Sequence, residues 1–412
     1  MNDVQRSFVT AGVICAASAS LILGIHTRQR VDSGETGIQV ASVLEPGLMA
    51  SNTKEVDIPE ERYFFDLTAL LKREYVDPVE NETKLASGAV KGMISSLNDE
   101  RSLYMPEPLF QAFTHQLIGQ YEGIGAELTL MRPPSGDKPL RTYIDFLQRI
   151  PRVVVTYVAP GGPADKAGVH AGDEIERIDG RWVMNPDVAD KYRALQKKIE
   201  AKEVPPTALS QLENDMRAKF KNSMMPMRAL ERLSEGESGA VKLQVRRGAG
   251  IESFSFEKSR FVAPFNALGA DGSFRLSFVP GASIALAKAI EESPNLTIDL
   301  RGVRHGDLDE LTKCLAVLAP GGTYGKVSTE EGEVQTIQTS TGAKNPKPVQ
   351  VRVDRYTAGV AAAFVEALMP LKLVTVTGGP VSADTSIIER TELPDGSGFT
   401  LRIGTFKAGG AH

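Results

Sequence analysis

The last third of the chain sets the tightest limit on its fold, because from Phe274 onward apolar helical stripes alternate with short apolar β runs. Ile284 to Ile290 reads as a helix, Leu296 to Leu300 as a strand, Leu308 to Leu318 as a helix, Val349 to Val353 as a strand, Ala358 to Leu368 as a helix and Leu373 to Val376 as a strand. Strands separated by helices do not close as hairpins, so the pattern predicts a parallel or mixed sheet with crossover helices.

Upstream the punctuation changes. A β-rich stretch begins at Tyr121-Glu122-Gly123-Ile124-Gly125, resumes at Val153-Val154-Val155 and closes with Val241-Lys242-Leu243-Gln244-Val245, whose strict alternation marks a half-buried strand. Two helical stripes interrupt it between Asn185 and Asn222: Val188, Tyr192, Leu195, Ile199, then Leu209, Leu212, Met216, Phe220. Val204-Pro205-Pro206 breaks them, since proline lacks the N–H a helix needs, and an αα-hairpin results. Two readings stand for this hairpin. Either the stripes bury each other, or Tyr192, Leu195, Leu212 and Met216 belong to an arm that projects toward a partner. From Glu60 to Leu117 helical spacing dominates, with Phe64, Leu67 and Leu71 on one face and then Leu85, Ala89 and Met93, so residues 59–117 read as a small helical domain.

The run Phe8 to Ile25 carries no charge and is long enough for a helix to cross a hydrocarbon core of roughly 30 Å. A cleaved secretory signal competes, with Ala17-Ser18-Ala19 as its cleavage site, but the apolar run continues through Leu21 to Ile25 and favours an uncleaved anchor. Either way the remainder is exported. Residues 31–58, rich in Ser, Gly, Glu and Thr, read as a flexible tether. At 42% hydrophobic and 24% charged residues the body is ordinary globular material, long enough for two or three cores. A net charge of -5 without a basic cluster argues against a nucleic-acid partner. Cys15 and Cys314 fall in the apolar run and in a core helix, and the five histidines are scattered, so neither an intrachain disulfide nor a metal is expected, and no cofactor.

The order of helical segment, β-rich insert and α/β body resembles the carboxyl-terminal-processing proteases, S41-type serine/lysine endopeptidases that carry a PDZ domain. The resemblance spans about Glu60 to Phe406. Tyr75-Val76-Asp77, Gly88 to Met93 and Ser96-Leu97-Asn98-Asp99 to Tyr104 are similar to the family's opening pattern. Tyr121 to Gly125, Gly162-Pro163-Ala164, Ala167-Gly168, Gly172-Asp173 and Ile178-Asp179-Gly180 resemble its PDZ domain. The implied fold class is α+β and α/β multidomain: a helical N-terminal domain, a PDZ domain at 118–258 interrupted by a helical hairpin at 185–222, and a protease-like α/β core with a mixed sheet at 259–412. A PDZ domain adds a peptide as an extra strand and offers backbone N–H groups to its terminal carboxylate. Gly123, Ile124 and Gly125 fit that loop, and a helix starting near Met227 would line the groove with Leu230 and Leu233.

The chemistry implied by the resemblance is missing. Asp299-Leu300-Arg301 resembles the strand end before the oxyanion loop, but that loop reads Gly302-Val303-Arg304-His305-Gly306, leaving Gly306 as its residue of the family pattern. Aligning Val351 to Asp354 with the strand before the nucleophile puts Gly359 at the serine. Aligning Leu393 to Gly396 with the hairpin after the base independently puts Asp384 at the lysine, at the family's separation, and Ile388 at the glutamine. Glycine has no side chain to attack a carbonyl, and aspartate cannot imitate a neutral lysine. Thr357, Ser382 or Ser386 with Lys372 would be the only rescue, and their spacing supports no such pairing. Gly321 to Lys326 lacks the first glycine and the Ser/Thr of a phosphate loop.

The expectation is therefore a pseudo-peptidase scaffold in a bacterial inner membrane, crossed once within residues 1–30, with its bulk in the periplasm. It would hold protein partners through the PDZ groove, the hairpin or a core edge left open near the last strand. An endopeptidase with relocated residues and a regulator of an active relative are the alternatives. Self-association through the helical segment is a further expectation.

Overall fold

The computed structural model describes residues 60–77, 79, 82–97, 99–132, 142–236, 239–269, 271–293, 295–343 and 348–409. The run Phe8 to Ile25 and the 31–58 tether lie outside these residues. The chain divides into two compact units at Ser96 and Leu97. The first contains helices α1 (Glu60–Glu74) and α2 (Glu82–Ser96). Its apolar positions form the expected stripes but stay uncovered: Leu67 is 55% exposed, Phe65 70%, and α2 has no buried residue.

In the second unit, β1 (Leu103–Met105) and α3 (Glu107–Leu117) come first, so the expected helical domain 59–117 ends early at Ser96. The physical reason is burial. Met105, Leu109 and Phe110 join the core of the domain that follows. That domain is assembled from β2 (Gln120–Tyr121), β3 (Ala126–Met131), α4 (Tyr143–Gln148), β4 (Arg152–Val158), α5 (Pro163–Ala167), β5 (Glu174–Ile178) and β6 (Arg181–Val183). Helices α6 (Asp187–Glu200) and α7 (Thr207–Lys221) follow, then β7 (Ser223–Met224), α8 (Pro226–Ser234), β8 (Ala240–Arg247) and β9 (Gly250–Glu257). Its sheet runs β3-β4-β5-β6-β7, with β8 joining β5 to β9. The two-residue turn at Gly248-Ala249, with φ 59 at the glycine, closes the β8–β9 hairpin in the way the strand twist favours. This is the PDZ domain.

The α6–α7 hairpin turns its stripes inward. Met216 is buried, and Tyr192, Leu212 and Phe220 pack with it against Trp182, Leu147 and Ile150. Leu195 is half-buried as well. The stripes therefore fill the hairpin's own core and are no free apolar docking face.

Strand β10 (Phe261–Val262) pairs with β2 and leads into the α/β body: β11 (Ala267–Leu268), β12 (Ser273–Arg275), α9 (Ala282–Glu292), β13 (Thr297–Asp299), α10 (Leu308–Leu318), β14 (Gly322–Ser328), β15 (Glu333–Thr339), β16 (Val349–Val353), α11 (Val360–Leu368), β17 (Val374–Gly378), β18 (Ser386–Glu392) and β19 (Gly398–Ala408). One mixed sheet runs β11-β12-β13-β16-β17, parallel from β12 onward. The second runs β1-β19-β14-β15, with β18 on β19. Helix α11 is apolar all round and buries every residue but Glu366, so it forms the centre of the body. Helix α10 buries Leu311, Cys314, Leu315 and Leu318 at helical spacing and carries Asp309 and Glu310 at its positive end. The last strand, β19, lies inside its sheet, paired with β18, β1 and β14, and its alternating side chains bury Phe406 in the core.

Candidate functional site

At the end of β16 the chain turns and enters α11 at Gly359, whose φ of 57 and ψ of -129 belong to a sharp strand-to-helix turn. Such a turn presents a nucleophile in many hydrolases. Here it presents nothing. Gly359 is buried, a Cβ on it would collide with the Arg304 carbonyl oxygen and lie 3.2 Å from that of Ser386, and its N–H donates to the Asp384 carbonyl at 2.7 Å.

Asp384 is itself engaged. Its carboxylate forms an ion pair with Arg101, the two side chains being only 22% and 21% exposed, and accepts the Ser386 N–H at 3.1 Å. Arg101 escaped the sequence reading because no local pattern marks a partner so distant in the chain. Ile388 sits at a β-bulge on β18 and, with Gly306, Pro280 and Arg390, lines a cleft of about 440 Å³.

The Gly302–Gly306 loop turns its groups inward as well. Gly302 N–H donates to Asp354 Oδ1 at 3.1 Å, and the Val303 carbonyl accepts the Ala358 N–H at 3.1 Å. A Cβ on Gly306 would press against Phe278, 2.8 Å from its carbonyl oxygen. Burial pushes the His305 imidazole down to about 4, with the charges of Arg101 and Arg390 adding to the shift, so the ring is neutral at neutral pH. It meets the Phe113 ring edge to face, centroids 4.9 Å apart.

The alternative catalytic residues are not brought together. Thr357 is fully buried and donates its hydroxyl to the Leu300 carbonyl at 2.9 Å, and Ser382 Oγ accepts the Asp384 N–H at 3.2 Å. Lys372 is exposed beyond the far end of α11, more than roughly 13 Å along the helix from Gly359.

The loop at Gly123 to Gly125 is packed against the chain itself. Gly123 to Gly125 are buried beside the end of α8, and the N–H groups of Gly123 and Ile124 donate to the carbonyls of Gly236 (2.9 Å) and Leu233 (3.0 Å). The Phe261 ring and Pro163 cover Gly125. Leu230 and Leu233 are core residues, in one cluster with Leu109 and Phe110 of α3. A buried polar bridge ties this domain to the body. Tyr121 donates to Glu127 at 2.8 Å, Arg275 lies 3.7 Å from the same carboxylate, and its guanidinium stacks 3.6 Å over Tyr157. Burial raises the Glu127 carboxyl above its ordinary value, and Arg275 opposes that rise.

A mixed-sheet body with a nucleophile-type turn, joined to a PDZ domain, defines an S41-type peptidase architecture. Family profiles agree: peptidase family S41 matches residues 280–410, the PDZ domain residues 154–198, and the N-terminal domain of the activating protease CtpB residues 49–108. By these three matches the chain is similar to the carboxyl-terminal-processing proteases. It is 23% identical over 419 residues to the carboxy-terminal processing protease CtpB of Bacillus subtilis, covering 98% of this chain and 74% of that relative. To CtpA of the same organism it is 22% identical over 346 residues, spanning 62% of the relative's length. The photosystem II D1 C-terminal processing protease superposes with a TM-score of 0.55 at 18% identity, over 85% of this chain and 89% of that one, a likeness of fold.

Proposed function

We propose that this chain is an exported, membrane-anchored pseudo-peptidase that binds peptide or protein segments without cleaving them. The observation that carries this reading is the Gly359 turn: it has the form of a nucleophile turn, no side chain, and the Arg304 carbonyl in the space a side chain needs. Acyl transfer requires a hydroxyl activated by a base, and a carboxylate held by Arg101 is no substitute for a neutral amine. The anchor rests on the uncharged run Phe8 to Ile25; among the described residues no helix is long and apolar enough to cross a membrane.

Incubating the full chain in detergent with an unfolded protein substrate tests the proposal, beside a variant carrying Gly359→Ser, Asp384→Lys and Ile388→Gln. No cleavage by the parent is expected, and none by the triple variant while the Arg304 backbone carbonyl occupies the space a side chain needs. Cleavage by the parent that is abolished by Thr357→Ala or Ser386→Ala would make this an enzyme with relocated chemistry.

A further inference from the structure

A PDZ groove lies between an edge strand and a helix, here β3 and α8. Strand β3 pairs with β4 on one side, and no described strand pairs with its other side, which is where an added peptide strand would go. That space is filled from within the chain. The residual cavity, about 100 Å³, is walled by Leu128, Thr129 and Leu130 of β3, by Leu230 of α8, and by Leu109 and Phe113 of α3. Ligand sites are typically roughly 300–1,000 Å³, so an extended peptide does not fit while α3 stays. Two of the loop donors that would meet a carboxylate, the Gly123 and Ile124 N–H groups, are likewise spent on the Gly236 and Leu233 carbonyls.

We propose that α3 is a built-in gate over the PDZ groove, and that peptide capture requires it to lift. The inference rests on the peptide-binding reading above and adds its regulation. The gate is wired to the emptied cleft. Phe113 packs on His305, Phe110 lies where a Cβ of Gly398 would collide with it, and β1, just ahead of α3, pairs with β19 through Leu103, Tyr104 and Met105. Lifting α3 would therefore uncouple the groove and the Gly302–Gly306 loop together, and a ligand shifts that equilibrium only by its preference for the lifted state.

The test uses the full chain in detergent and a fluorescein-labelled ten-residue peptide ending in Ala-Val-Leu-Val with a free carboxylate. Wild type and the Leu109→Ala/Phe113→Ala variant are titrated, and amide hydrogen exchange of residues 107–117 is followed in wild type with and without peptide. The expected result is at least tenfold tighter binding by the variant, and faster exchange across 107–117 in peptide-saturated wild type. Equal affinities with unchanged exchange would overturn the gate and leave the binding reading standing. Binding by neither protein, with wild-type exchange unchanged at the highest peptide concentration, would overturn both. The exchange arm needs no substitution, so a poorly folded variant does not decide the outcome.

Discussion

Two glycine turns, at Gly359 and at Gly123 to Gly125, carry the two functions that the architecture suggests, and both are closed, by different means. At Gly359 the closing group is backbone: the Arg304 carbonyl is held in a loop whose own N–H and C=O groups are bonded to Asp354 and Ala358. At the PDZ groove the closing groups are mostly side chains of one three-turn helix, Leu109 and Phe113. Backbone closure yields only if a hydrogen-bonded loop is rebuilt, whereas a single helix seated by side-chain packing can leave and return. Under the proposed function the first site is retired, and under the proposed gate the second is latched.

The sharpest way to break this contrast is Gly359→Ala. A positive φ and a Cβ driven into the Arg304 carbonyl should together cost about 3–4 kcal/mol in urea unfolding. A loss below about 1 kcal/mol would mean that the loop yields and the turn is not sealed.

His305 offers the next largest effect. Its folded value of about 4 lies below the ordinary 6.5, so the folded state binds the proton less readily than the unfolded chain. Stability from this group is complete above pH 6.5 and erodes as pH falls toward about 4, by up to about 3 kcal/mol. Comparing the pH dependence of wild type with that of His305→Gln isolates it, and identical slopes would mean the ring is not desolvated.

Arg101→Met should cost about 1–2 kcal/mol, the pair being partly solvated, and Asp384→Asn in the same chain should recover part of that. A neutral Arg101→Met would show that the acid at the lysine position needs no partner. The smallest effect belongs to Lys372→Ala: on an exposed turn it should change stability by less than about 0.5 kcal/mol and leave any trace hydrolysis untouched. Loss of hydrolysis on this change would revive a relocated base.

The sequence by itself determined the order of elements and the glycine at the strand-to-helix turn. Helix Leu308–Leu318 and strand Val349–Val353 fall where local periodicity puts them, to the residue, and the glycine at 359 is read without any structure. Periodicity reports that a face is apolar, not which surface covers it. For that reason the hairpin stripes were legible while their inward turn against Trp182 was not, and nothing in the sequence marked the seat of α3 over the PDZ groove. Only the tertiary structure brought Arg101 to Asp384, Arg304 over Gly359 and β19 to the interior of its sheet, because each depends on packing between segments far apart in the chain.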